Sequence, residues 1–214
     1  MQMAIFRLNF MRAFSILSAA LSVAAAGLMA APARADVAPA DLPQGALESL
    51  RDIANQLTGQ LGQKLKGTIA SDGPIAAVSV CKEAAPGIAK NLSVRHGAQV
   101  SRVGTRARNA SMGVPNAWQK EALADFDARL AKGEKPADLE YWKVVDTGNG
   151  SQELRYAKAI VTQQLCVTCH GKAEDIPAPL MEKIRAEYPR DQATGYSVGQ
   201  LRGAVIVTRP LNED

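Results

Sequence analysis

The stretch "DLEYWKVVDTGNGSQELRYAKAIVT", Asp138 to Thr162, decides the fold class. Two runs rich in β-branched and aromatic residues flank Gly148-Asn149-Gly150. Asn-Gly between such runs signals a β-hairpin, because both residues tolerate the positive φ that a tight hairpin turn requires. A hairpin makes the sheet antiparallel where it sits. Downstream, the turn-rich "PRDQATGYSVGQ" leads to a closing strand, "LRGAVIVTRP". Upstream, "AQVSRVG" reads as a short strand and "TRARNASMGVPN" as a polar loop without periodicity. The remaining segments carry the helical period. From Ala46 to Ile69, Leu47, Leu50, Ala54, Leu57, Leu61 and Leu65 recur at three and four, an amphipathic helix with one buried face. "SDGP" at Ser71 to Pro74 stops it, and Asp72 and Pro74 suit the cap and first turn of a second helix. That helix carries Ile75, Val78, Cys81 and Ala85 on one stripe, and Pro86 and Gly87 are expected to weaken or end it. "AWQKEALADFDARLAKG" is a third, closed by Gly133, and a short one is expected near Pro179 to Tyr188. Helices packed on an antiparallel sheet make an α+β layer arrangement.

Directly after the hairpin comes "QLCVTCHGK", Gln164 to Lys172. Cys-x-x-Cys-His is the attachment signature of c-type haem. The spacing lets Cys166 and Cys169 reach two vinyl groups on one edge of a porphyrin, and brings His170 beneath the iron as proximal ligand. A redox dithiol would place Cys-x-x-Cys at the start of a helix in a βαβ unit, which this order of elements lacks. Zinc would want four ligands, and the motif offers three in poor tetrahedral geometry. One motif predicts one covalent haem c. The opposite face of the iron has four candidate ligands, or none. Cys81 lies on a helical stripe with apolar neighbours, where an inert thiol is common. His96, in "SVRHGAQ", looks like an imidazole on an exposed turn. Met112 and Met181 are either ligands or core filler.

The N-terminus bears on where such a haem would be attached. Arg7 and Arg12 precede an uncharged run from Ala13 to Ala31, and Ala33-Arg34-Ala35 follows. That pattern predicts a secretory signal peptide over residues 1–35, cut after Ala35, with export to the periplasm and no membrane attachment after cleavage. The competing reading is a retained membrane anchor. The second predicted unit, residues 36–214, is one domain's worth of chain, opening with an Ala/Pro-rich tether over residues 36–45. The precursor carries a net charge of +4. Removing the leader's three arginines leaves +1, with no clustered basic patch, so nucleic acid is not an expected partner. Three cysteines in an oxidising compartment leave one unpaired and in need of a role.

Four stretches together resemble a family of exported PAS-like c-type haem proteins, long catalogued as a domain of unknown function. They are "AAVSVCKEAAPGIA" (Ala76 to Ala89), "VSRVGTRARNASMGVPNAWQ" (Val100 to Gln119), "LCVTCHGK" (Leu165 to Lys172) and "YPRDQATGYSVGQLRGAVIV" (Tyr188 to Val207). Ala110 departs from the Pro that the family often has after its Arg-Asn pair. The resemblance implies a PAS-like antiparallel sheet with flanking helices around the haem, preceded by a long N-terminal helix. It also implies that Cys81 is the distal ligand, opposite His170. Buried haem propionates need donors, and an arginine fork matches a carboxylate. Of Arg102, Arg106 and Arg108 in the second stretch, Arg106 or Arg108 is expected to hold a propionate, with Asn109 as a further contact. Tyr188 and Tyr196 are candidates to line the pocket.

A thiolate ligand favours ferric iron and weakens on reduction. The expected function is therefore a periplasmic mono-haem module that senses redox state or a diatomic gas and signals through a partner protein. The alternative is a small electron-transfer cytochrome with a redox partner. An enzyme is not expected, because a bound Cys81 blocks the iron and only His96 offers acid–base chemistry.

Overall fold

The structure is a computed structural model and describes residues 42–148 and 150–211. The expected signal peptide, most of the tether and Asn149 lie outside the described residues. The elements run α1 (Ala46–Ser79), a π-helical turn (Val80–Ala84), α2 (Ala85–His96), β1 (Gln99–Gly104), α3 (Ala117–Ala131), β2 (Glu140–Gly148), β3 (Ser151–Val161), α4 (Gln164–His170), α5 (Ala178–Glu187) and β4 (Leu201–Leu211). Short 3₁₀ turns at Pro136–Asp138 and Ala173–Asp175 precede β2 and α5. The four strands form one antiparallel sheet in the order β1-β4-β3-β2. The architecture is α+β, with a long N-terminal helix and helices flanking the sheet, as the hairpin and the helical periods predict.

Each sheet face buries its own core. On one face, Leu50, Ile53, Ala54 and Leu57 of α1 and Leu92 of α2 pack on Val100, Leu154, Tyr156, Val205 and Val207. On the other, Trp118, Ala122, Leu123 and Phe126 of α3 pack on Val103, Ala157, Ala204 and Ile206. β4 therefore needs apolar residues on both sides, which "AVIV" supplies. A third cluster joins Val78 to Ile176, Leu180, Met181, Ile184 and Tyr188, with Cys169 packed against it.

The first helix differs from expectation in its continuity. Gly73 takes φ 80° and ψ 174°, and Pro74 follows, so the chain bends at the expected stop. Pro86 and Gly87, however, do not end the second helical segment, which runs on to His96. The π-helical turn resets the hydrogen-bond ladder just ahead of Pro86, so the proline falls in the first turn of α2, where a missing N–H costs little.

Three chain ends meet at one edge of the sheet. Gly104 of β1 pairs with Gly203, and Val161 of β3 pairs with Leu201. A Cβ on Gly203 would lie 2.0 Å from the Val103 carbonyl oxygen, so only glycine permits this approach. From this edge leave the loop after β1, the haem motif after β3 and the turn before β4. Among the described residues, no helix is long and apolar enough to cross a membrane.

Candidate functional site

The haem motif forms α4. Thr162 donates its amide to Gln200 and accepts one from Gly199, which fixes the entry to the helix against the start of β4. At its exit, Gly171 donates to Val167 at 2.8 Å. A Cβ on Gly171 would sit 2.5 Å from that carbonyl oxygen, so the close turn needs glycine. Two backbone bonds then pair the exit with the turn before β4: Gly195 donates to Gly171 at 2.6 Å and Tyr196 to His170 at 2.9 Å.

His170 is half-buried and held by its ring. Nδ1 lies 2.7 Å from the Ala193 carbonyl oxygen. A carbonyl only accepts, so Nδ1 carries the proton and Nε2 keeps its lone pair. Burial lowers the imidazole pKa well below its ordinary value, and Arg202 and Arg108 lower it further. The ring is neutral, and Nε2 carries the free lone pair.

All three cysteines are free thiols and half-buried. Cys166 Sγ accepts the Gln163 amide at 3.4 Å. Burial raises the Cys169 thiol, Arg108 opposes this, and Cys81 adds to it. Cys81 is thus within electrostatic reach of the haem motif although 88 positions separate Cys81 from Cys169. It sits in the π-helical turn, a distortion that often marks a functional position. The next residue, Lys82, is paired with Glu187 at the end of α5, which ties the turn to the element behind α4.

The arginines are placed differently from expectation. Arg108 is brought to the motif, but its fork is engaged by protein: Nε donates to Asp191 at 3.2 Å, and Nη2 to the carbonyls of Cys169 at 2.5 Å and Ala193 at 3.2 Å. Arg106 is exposed, with its guanidinium carbon 3.9 Å from the Tyr196 ring centroid. Asn109 turns its side-chain oxygen to Ser111. Instead, Arg102 of β1 and Arg202 of β4 stand beside His170. Burial lowers the pKa of both; Cys81 and Tyr188 push Arg102 back up, and Tyr196 pushes Arg202 back up. The Arg102 side chain makes no hydrogen bond or ion pair among the described residues. Arg202 donates to the Arg106 carbonyl at 3.2 Å, while its Nε is buried without a partner. Asp191 is the one carboxylate paired within this group among the described residues. Three guanidiniums against one carboxylate leave two positive charges uncompensated there.

The tyrosines do line the site. Tyr196 stands edge-on to His170, with ring centroids 6.4 Å apart. Its hydroxyl bonds Thr105 at 2.7 Å and accepts the Arg106 amide at 3.0 Å. Tyr188 is buried, and burial and Cys81 push its phenol up to about 12. Of the other candidate distal ligands, Met112 is exposed, and Met181 shares the third cluster with Tyr188, against which Cys169 packs. His96 is not on an exposed turn: it closes α2, half-buried, with Nε2 enclosed and unpartnered. A groove of about 730 Å³ lies between α3 and Tyr196–Leu201 and includes neither His170 nor any cysteine. Among the described residues, no group of three or more His, Cys, Asp or Glu side chains is placed to hold a metal ion by itself.

The Tll0287-like family model matches residues 34–210. The chain belongs to the Tll0287-like family. Its fold is similar to the crystal structure of the cyanobacterial haem protein Tll0287, with 27% identity and a TM-score of 0.54 over 78% of this chain and 93% of that one. A comparison with curated proteins finds no match. Sequence reading missed Arg202, Asp191 and Ala193 as parts of this site. Arg202 left a signal, as the one charge in "LRGAVIV"; Ala193, which acts through its backbone, left none.

Proposed function

We propose that this chain is a periplasmic protein that binds one haem covalently through Cys166 and Cys169, with His170 and Cys81 as axial ligands, and that it senses redox state or a diatomic gas rather than catalysing a reaction. One observation carries the reading: a neutral, ring-fixed His170 at the end of a Cys-x-x-Cys helix, with a third free thiol and two uncompensated guanidiniums around it. The donor set fits the group. Two thiols on one helix suit two thioether bonds, Nε2 of His170 is available to iron, and Arg102 and Arg202 suit two propionates. Relation to a haem protein of the same family supports it. When bound, the haem would supply a one-electron couple and a site for a small ligand.

The residues around it have separate tasks. Ala193 holds the proton of Nδ1 and so the tautomer. Cys81 would supply a thiolate, a donor that favours ferric over ferrous iron. Because Cys81 lies in a π-helical turn tied to α5, its release would let the register of the α1–α2 junction relax, which a partner protein could read. The second reading, a small electron-transfer cytochrome, is favoured by the buried Arg108–Asp191 pair, which fixes the proximal side and limits rearrangement on electron transfer.

Carbon monoxide titration of the reduced, haem-loaded protein separates them. Ready binding in the unvaried protein is the expected result, with still tighter binding in Cys81→Ala. Binding in Cys81→Ala alone would favour the carrier. Identical spectra in the two proteins would remove Cys81 from the iron, and a chain recovered without covalent haem from cells able to attach it would sink the whole reading.

A further inference from the structure

We infer that Arg108, paired with Asp191, is a positioning residue that sets the donor strength of His170 by polarising the Ala193 carbonyl. The inference rests on the haem reading above and concerns what tunes that site. The backbone of Ala193 is held at both its N–H and its C=O by the same ion pair. Its N–H donates to Asp191 Oδ1 at 2.8 Å, and its oxygen accepts Arg108 Nη2 at 3.2 Å and His170 Nδ1 at 2.7 Å. Arg108 Nε returns to the same Asp191 oxygen at 3.2 Å. The two side chains are 10% and 9% exposed, so the pair acts in a medium where charge-assisted bonds are strong. Nη2 also takes the Cys169 carbonyl, immediately before His170, so one guanidinium orients both the backbone and the ring partner of the ligand.

The consequence follows from sharing. A carbonyl oxygen that already accepts from a guanidinium is a poorer acceptor for a second donor. The bond from His170 Nδ1 is weaker than a lone carbonyl would give, and the imidazole keeps less negative character. Outer partners of a ligating histidine set its basicity in this way. An imidazole with less negative character donates less to the metal and favours the reduced state. Thiolate from Cys81 pulls the other way, so Arg108 offsets part of the thiolate's preference for ferric iron.

The test uses the haem-loaded protein and the double variant Arg108→Gln/Asp191→Asn. Both charges leave together, so the net charge near the iron is unchanged, and the amide oxygen introduced in place of the carboxylate can still accept the Ala193 N–H. The expected result is a shift of about tenfold in the ferric/ferrous equilibrium toward ferric iron, which is about 59 mV for a one-electron couple. The His170 Nδ1–H resonance in paramagnetic NMR should move with it, as the bond to Ala193 strengthens. A variant that loses thermal stability but keeps its potential and that resonance would make Arg108 a structural clamp and overturn the inference; so would a shift toward ferrous iron. Should the double variant not fold, Arg108→Lys serves. It keeps a charge beside Asp191 but cannot span three acceptors, and a smaller shift of the same sign is expected, an unmoved potential overturning the inference. Haem content of the unvaried chain, measured first as a pyridine complex, separates failure of this inference from failure of the haem reading.

Discussion

At the scale of single residues, the site is organised around charge that the protein itself does not neutralise. A buried arginine is not deprotonated, so lowering its pKa records a desolvation cost. Arg102 and Arg202 carry that cost with no carboxylate paired to them among the described residues. Two propionates would turn it into charge-assisted bonds, each worth about 1.5–3 kcal/mol. Arg102→Gln and Arg202→Gln should therefore destabilise the haem-loaded protein by roughly that amount each. In the haem-free chain the same changes should be neutral or stabilising, because they remove an unpaired charge from a buried place. Thermal unfolding of both forms decides it, and the same sign in both would end the propionate assignment. The sequence pointed to Arg106 and Arg108 because the family resemblance places their loop beside the haem pocket. That reasoning had no access to the fork of Arg108 being occupied by Asp191 and two carbonyls.

At the scale of elements, the π-helical turn is the feature that helical periodicity could not show. Ile75, Val78, Cys81 and Ala85 fit one stripe of a regular helix, of which Val78 and Ala85 are buried, Cys81 is half-buried and Ile75 is exposed. The inserted residue of a π turn leaves that pattern almost intact, so neither the turn nor the survival of the helix past Pro86 was legible. The turn holds Cys81 between the end of α1 and the start of α2. Deleting Glu83, exposed in the turn, would restore α-helical register and swing the flanking residues by about a quarter turn or more. The expected outcome is retained covalent haem with the thiolate absorption signature gone. A haem spectrum identical to that of the unvaried protein would mean that the turn does not position the ligand. The hairpin, by contrast, was legible to within two residues at each strand end, because an Asn-Gly turn and β-rich flanks are local signals.

At the scale of the whole molecule, one carboxylate joins the layers. Glu140 opens β2. It takes Arg51 of α1 in a two-pronged bond at 2.9 Å for each prong, and Lys158 of β3 at 3.1 Å. Its own carbonyl accepts Arg129, from the last turn of α3, at 2.9 Å. One residue thus connects both helical layers to the sheet, a contact between positions 89 apart that no local pattern in the sequence announces. Burial alone would raise the Glu140 pKa, but the bonds from Arg51 and Lys158 outweigh it and bring it from 4.5 to about 2. A carboxyl that is more acidic folded than unfolded stabilises the fold above its unfolded pKa and loses that contribution as pH falls toward the folded one. The contribution is complete above about pH 4.5 and fades toward pH 2. Because Arg51 is 38% exposed, water screens the pair, and about 1–2 kcal/mol is a fair magnitude. Glu140→Gln should cost that much at neutral pH and flatten the acid limb of the stability curve between about pH 4.5 and 2, followed by denaturant unfolding at stepped pH. Equal slopes for both proteins over that window would show that the layers are held by their apolar faces alone, with Glu140 a bystander at the seam.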